Sequence, residues 1–190
     1  MEFLEYVINN NFIFNNTKFF PHPYIEQYYD KEFSNIKDKK IKLLEIGVRS
    51  GISLKMWHNW FTKGQIYGLD IINQFNISNE NVFFNQIDAY TQPALDLYED
   101  DMFDFIIDDG PHTPVSQQFT IQKWINKLKP GGKIIIEDIG CKDDNNNTLS
   151  PDASLDFLLK SIDTNISTYK IFDLRNSGQY DSIILEIAKK

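Results

Sequence analysis

The sequence predicts a doubly wound α/β protein with a mostly parallel, seven-stranded sheet that closes with one reversed strand. Three observations carry that expectation. From Ile41 onward, short apolar runs alternate with helical patterns. The runs read as continuous hydrophobic stretches, such as Phe103-Asp104-Phe105-Ile106-Ile107 and Lys133-Ile134-Ile135-Ile136, as strands covered on both faces do. The last two runs are joined by Asn176-Ser177-Gly178-Gln179-Tyr180-Asp181, which holds no helix and suits an antiparallel hairpin at a sheet edge.

The elements follow in order. Residues 1–40 read as an aromatic, mainly helical lead-in, with Ile25, Tyr28, Tyr29 and Phe33 on one helical face behind Pro21 and Pro23. Residues 41–190 read as the sheet domain, and the whole as a single domain. Strands are expected at 41–47, 65–71, 82–88, 103–109, 132–139, 169–175 and 182–188, and helices at 52–62, 91–99, 114–129 and 152–164. Leu155, Leu158, Leu159 and Ile162 form one apolar stripe, and Ile121, Trp124, Ile125 and Leu128 another. Thr113 can cap the helix that Pro114 opens, and Lys129-Pro130-Gly131-Gly132 ends it. Residues 72–81 look too short and turn-rich for a full crossover helix.

Composition narrows the function. A net charge of −8 repels a phosphate backbone and argues against nucleic acid as a partner. No apolar run approaches the roughly 18 residues of a membrane span. Cys141 is the single cysteine, read as an unreactive loop thiol, and the N-terminus lacks a basic secretory region; both suit the cytoplasm.

The chemistry is expected at the carboxyl ends of the strands, where open α/β sheets bind ligands. The first strand leads into Glu45-x-Gly47-x-x-x-Gly51, whose glycines let a ligand approach the backbone. The acid before them disfavours a pyrophosphate and suits a cationic or zwitterionic ligand. Asp70, ending the second strand, can accept ribose hydroxyls, and Asp88, ending the third, an adenine amino group. Two further strands end in paired acids: Asp108-Asp109-Gly110-Pro111-His112 and Glu137-Asp138. Three carboxylates beside an imidazole suit an oxygen-preferring cation such as Mg²⁺ with a proton acceptor at hand. His22 and His58 read as structural, Trp57, Trp60 and Trp124 as packing residues, and Arg49 as a candidate for an anionic substrate group.

Leu43 to Gly51, Tyr67-Gly68-Leu69-Asp70, Phe103 to His112 and Leu128 to Gly132 together resemble class I S-adenosylmethionine-dependent methyltransferases, which have a Rossmann-like fold. Asp108-Asp109-Gly110-x-His112, with Ile136-Glu137-Asp138 and the upstream His22-x-Tyr24, resembles more narrowly the metal-dependent O-methyltransferases of macrolide sugars and the cephalosporin-hydroxylase-like proteins. The resemblance implies that Glu45, Gly47 and Gly51 shape the pocket for the methionine part of S-adenosylmethionine. It assigns the ribose to Asp70, the adenine end to Asp88 and the amino-acid portion to Asp108. It makes Asp109, Glu137 and Asp138 the Mg²⁺ ligands and His112 the general base. The implied reaction moves a methyl group to a hydroxyl of a sugar or a small phosphorylated or nucleotide-linked intermediate in glycan, capsule or secondary-metabolite synthesis. The chain leaves little room for a lid, so the lead-in 1–30 and the loop 140–151 are expected to supply most of the substrate wall, with either a small substrate or a second copy in a homo-oligomer that completes the site. The competing expectations are a catechol-type O-methyltransferase, for which Asp144-Asn145 speaks, and a hydroxylase-like or non-catalytic binding protein on the same fold.

Overall fold

The structure is a computed structural model that describes residues 2–13, 16–73, 79–140, 147 and 150–190. Cys141 and Asp144-Asn145 lie outside the described residues. Seven strands form one sheet: β1 (Lys42–Ile46), β2 (Gln65–Asp70), β3 (Val82–Gln86), β4 (Phe103–Asp108), β5 (Leu128–Ile136), β6 (Ser167–Asp173) and β7 (Ile183–Lys189). Their order is β3-β2-β1-β4-β5-β7-β6. The first five run parallel, and β7 enters antiparallel between β5 and β6. This is the doubly wound sheet with a reversed closing strand that the patterning predicts.

Neighbouring residues on each strand point to opposite faces, which is why the runs are apolar throughout. Leu44, Ile46, Leu69, Ile106, Ile134 and Ile136 pack on one face against Ile121, Trp124 and Leu158. Leu43, Ile66, Ile107, Ile135 and Ile184 pack on the other against Phe33, Trp57, Trp60 and Phe61. The helices are α1 (Phe3–Asn9), α2 (Asp30–Phe33), α3 (Ile52–Trp60), α4 (Gln92–Leu95), α5 (Pro114–Lys123) and α6 (Pro151–Leu159). Thr113 caps α5, its side chain accepting from the Ser116 N–H, with Pro114 at the first helical position. No described helix is long and apolar enough to cross a membrane.

The lead-in is helical but irregular. A π-helical turn, Ile25–Tyr29, precedes α2. The wider turn lets the successive residues Tyr28 and Tyr29 both point inward, where each hydroxyl meets a buried carboxylate, Glu186 and Glu137.

Several boundaries depart from the sequence expectation; the helix expected over 152–164, for one, ends at Leu159. The helix expected over 114–129 stops at Lys123, a 3₁₀ turn covers Trp124–Lys127, and Leu128 already pairs with Phe103 of β4. Pairing then slips and resumes at Phe105 opposite Lys133. Lys129 to Gly132 are absorbed into that irregularity, where Pro130 has no N–H to give and Gly131 takes a φ of +79°. The helix expected over 91–99 is regular only for Gln92–Leu95. A tighter bond from the Tyr98 N–H to the Leu95 carbonyl (3.2 Å) ends it, and the Tyr98 ring packs edge-on against Phe103.

Candidate active site

Register builds the site. Ile46 of β1 lies beside Asp108 of β4, and Asp108 beside Ile136 of β5. The residues that follow, Gly47, Asp109 and Glu137, therefore leave the sheet side by side at its carboxyl edge. The Asp109 N–H donates to the Ile46 carbonyl and the Gly47 N–H to the Leu69 carbonyl, both at 2.9 Å. A cavity of about 550 Å³ opens above this edge. Gly47, Asp70, Asp88, Asp109, His112 and Asp138 line it, with Thr17 and His22 from the lead-in.

Three of the six predicted cofactor residues reach this cavity: Gly47, Asp70 and Asp88. Asp70 accepts the backbone N–H groups of Arg49 (2.7 Å) and Ile72 (3.0 Å), which fixes its carboxylate at the rim. Asp88 is exposed and accepts the Tyr90 N–H at 2.9 Å. The other three stand behind the wall. Gly51 takes φ +75° at the start of α3. Glu45 is fully buried, accepts from the Ser53 hydroxyl at 2.6 Å and pairs with Lys18 at 3.3 Å. Asp108 is buried and accepts from the hydroxyls of Tyr90 (2.7 Å) and Thr120 (2.6 Å) and the Gly110 N–H (3.2 Å). Those bonds tie the loop after β4 to α5, so Asp108 shapes the site from underneath. Burial pushes its carboxyl above the ordinary value, against the pull of these donors.

The predicted metal residues divide in the same way. Asp109, His112 and Asp138 each present a ligand atom, all within 4.8 Å of one another. His112 Nε2 is 3.7 Å from Asp109 Oδ1 and 3.7 Å from Asp138 Oδ2, too far for hydrogen bonds. The ring's Nδ1 is buried without a hydrogen-bond partner. Glu137 is turned inward, with one oxygen 2.6 Å from Lys18 Nζ and the other accepting from the Tyr29 hydroxyl. Burial pushes its carboxyl well above the usual range, opposed by Lys18. Burial also raises Asp138, opposed by His112. Both His112 (φ +58°) and Asp138 (φ +54°) hold a left-handed backbone, as does Arg49 (φ +50°). Such strain costs on the order of 1 kcal/mol or more per residue and persists where surrounding structure enforces it. Here Asp138 is enforced by Gln117, whose amide bonds the Glu137 carbonyl at 3.0 Å.

Sequence reasoning gave no site role to the residues that hold these carboxylates. Lys18 bridges Glu45, Asp109 and Glu137; Tyr24 donates to Asp138 Oδ1 at 2.5 Å; His22 Nδ1 lies 3.3 Å from the same oxygen and 2.8 Å from the Ser182 hydroxyl. His22, read as structural, thus supports a predicted metal residue and borders the cavity. The available signal was Lys18-x-x-x-His22-x-Tyr24, three polar groups in an otherwise aromatic stretch.

The arrangement accepts cations. Among the described residues, four carboxylates line the cavity against the one guanidinium of Arg49. That balance suits a ligand carrying a sulfonium and an ammonium group. Leu69, Ile71 and Ile87 beside Asp70 offer apolar contact to a flat base. Two carboxylates and an imidazole facing one point also suit a divalent ion, because Mg²⁺ takes one or two carboxylates and fills its remaining positions with water or substrate oxygens.

No family model matches the chain. Among solved structures, the MycE methyltransferase of the mycinamycin pathway, in complex with Mg, SAH and mycinamycin VI, superposes with a TM-score of 0.77 at 24% identity, over 100% of this chain and 54% of that one. The fold is that of the class I methyltransferases. A Methanococcus jannaschii fibrillarin, a pre-rRNA processing protein, shares this fold with a TM-score of 0.61 at 16% identity, over 80% of this chain and 67% of its own. In sequence the chain is similar to the mycinamicin VI 2''-O-methyltransferase of Micromonospora griseorubida, 32% identical over 121 residues, 59% of this chain and 30% of that protein. It is also similar to the 8-demethyl-8-alpha-L-rhamnosyl tetracenomycin-C 2'-O-methyltransferase of Streptomyces olivaceus, 28% identical over 153 residues, 71% of this chain and 39% of that protein. The chain therefore matches well under half the length of these curated relatives. Within the methyltransferase fold, the cavity sits where such sheets bind ligands, at the switch between β1 and β4.

Proposed function

We propose that this protein is a Mg²⁺-dependent O-methyltransferase that uses S-adenosylmethionine to methylate a hydroxyl of a sugar or small glycosylated, phosphorylated or nucleotide-linked acceptor in secondary-metabolite or glycan synthesis. The observation that carries the reading is the convergence of Asp109, His112 and Asp138 on the wall of a cavity that Gly47, Asp70 and Asp88 also line. The similarity to O-methyltransferases that act on glycosylated antibiotics supports the same reaction class.

In this reading the backbone at Gly47 borders the methionine part of the cofactor, Asp70 accepts from the ribose and Asp88 from the adenine amino group. Asp109 and Asp138 hold the ion, with Glu137 behind them. When bound, the cofactor supplies an activated methyl group, and the ion lowers the pKa of the acceptor hydroxyl and orients it. His112 takes the proton at Nε2, since Nδ1 is buried away from the acceptor. Tyr24 and His22 keep Asp138 in place through the transfer, and the cavity walls align acceptor oxygen and methyl carbon. The −8 charge supports a small-molecule acceptor over nucleic acid, and the single cysteine supports the cytoplasm as the place of action. Thr17 and His22 supply part of the acceptor wall, and a second copy of the chain would supply the rest.

The test is transfer of labelled methyl from S-adenosylmethionine to a panel of sugars, glycosides and catechols, with Mg²⁺ and with EDTA. Labelling of glycosidic hydroxyls that EDTA abolishes is expected. Labelling confined to catechols, or unchanged in EDTA, overturns the assignment.

A further inference from the structure

Lys18 is the most unusual charge in the molecule. Its side chain is 2% exposed, yet its Nζ lies 2.6 Å from Asp109 Oδ2, 2.6 Å from Glu137 Oε2 and 3.3 Å from Glu45 Oε1. These acids come from the ends of three adjacent strands. The lysine reaches them from the lead-in, and its own backbone is fixed on both sides. Its N–H donates to the Asn16 side chain at 3.1 Å, and its carbonyl accepts the Ile25 N–H at 2.9 Å. The ammonium is therefore held in place by the chain around it.

This position matters because Asp109 has two faces. Its Oδ2 is taken by Lys18, and its Oδ1 looks toward His112 and Asp138. Glu137 shows the same division: Lys18 holds one oxygen and Tyr29 the other. A divalent ion and the ammonium would share Asp109 as a common partner, one on each side. Two cations sharing a carboxylate repel each other, and burial leaves that repulsion poorly screened.

We propose that Lys18 is a positioning residue of the acid cluster. Its ammonium fills the inner side, among Glu45, Asp109 and Glu137, and directs a divalent ion to the outer side, where Asp109 Oδ1, Asp138 Oδ2 and His112 border the cavity. The lysine thereby weakens cation binding while setting where the cation stands. The inference rests on the cation site of the proposed function.

The experiment is a Mn²⁺ titration followed by electron paramagnetic resonance on the wild-type chain and on Lys18→Met, which keeps the side-chain length and removes the charge. Lys18→Gln, which keeps a hydrogen-bond donor for the buried carboxylates, is run in parallel in case the methionine variant does not fold. Binding of SAH is measured on the same samples. Loss of a fixed charge beside a shared ligand is expected to tighten Mn²⁺ binding by about tenfold or more while SAH affinity stays close to wild type. A merely structural ion pair would lower thermal stability and leave Mn²⁺ affinity where it was; that result, or weaker Mn²⁺ binding, overturns the inference. If wild type itself binds no Mn²⁺, the cation site falls and the inference with it.

Discussion

Replacing Gly47 by alanine tests how the site is assembled. At φ +85°, a Cβ on residue 47 would stand 2.0 Å from the Asp109 carbonyl oxygen, 2.5 Å from its carbon and 2.8 Å from Gly110 Cα. All three are backbone atoms, so no side chain can swing aside. Relief requires β1 and β4 to part at their ends, which breaks the bond from Asp109 N–H to the Ile46 carbonyl. The left-handed backbone costs an alanine about 1–2 kcal/mol, and the lost bond leaves buried groups unpaired at about 1–3 kcal/mol, for a total of about 2–5 kcal/mol. Gly131 is the control, because it shares the conformation at φ +79° but has nothing within 4 Å of its notional Cβ. Gly131→Ala should cost only the conformational part, about 1–2 kcal/mol. Urea denaturation of both variants measures the difference, and Mn²⁺ binding by Gly47→Ala should fall because Asp109 is displaced. If the two variants agree within about 1 kcal/mol, the close approach of Gly47 and Asp109 is wrong.

Other outcomes follow from the same geometry. His112→Ala should lower the transfer rate by ~10²–10⁴ with SAH binding preserved; an unchanged rate removes the proton-acceptor role. Asp138→Asn should weaken Mn²⁺ binding by at least about tenfold, read by the same titration, and unchanged binding would take Asp138 out of the cation site. Burial pushes the Tyr98 phenol up from 10.0 to about 12, against the hydrogen bond from Asn85. A raised folded value means that the related stability is whole below pH 10 and is lost as pH rises from 10 to 12, where only the unfolded phenol ionises. Tyr98→Phe should therefore lose about 2 kcal/mol less than wild type across that interval in urea titrations; identical losses contradict it.

The fold was legible because its evidence is local. Continuous apolar runs require a sheet covered on both faces, and a six-residue link without a helix, Asn176 to Asp181, requires a hairpin. Helix ends were harder to read. Trp124 and Leu128 continue the helical stripe of α5, yet Leu128 pairs with Phe103 in the sheet, a tertiary choice that no periodicity announces. At the site, residues directly after strand ends were readable because register alone aligns them, and Gly47, Asp70, Asp88, Asp109 and Asp138 all meet the cavity. Side-chain direction was not readable. Asp108 and Asp109 are adjacent in sequence, but one points down to Thr120 and the other up to the cavity. Lys18 was invisible for a related reason: a lysine in a loop reads as a solvated charge, and only the folded lead-in brings it 2.6 Å from two buried acids.

In the proposed function a divalent ion stands beside a bound methyl donor. Anomalous diffraction from a crystal grown with Mn²⁺ and SAH tests it most directly. A single strong peak between Asp109 Oδ1 and Asp138 Oδ2, with SAH in the cavity against Gly47 and Asp70, is the predicted result. SAH bound with no anomalous peak among these residues would contradict it.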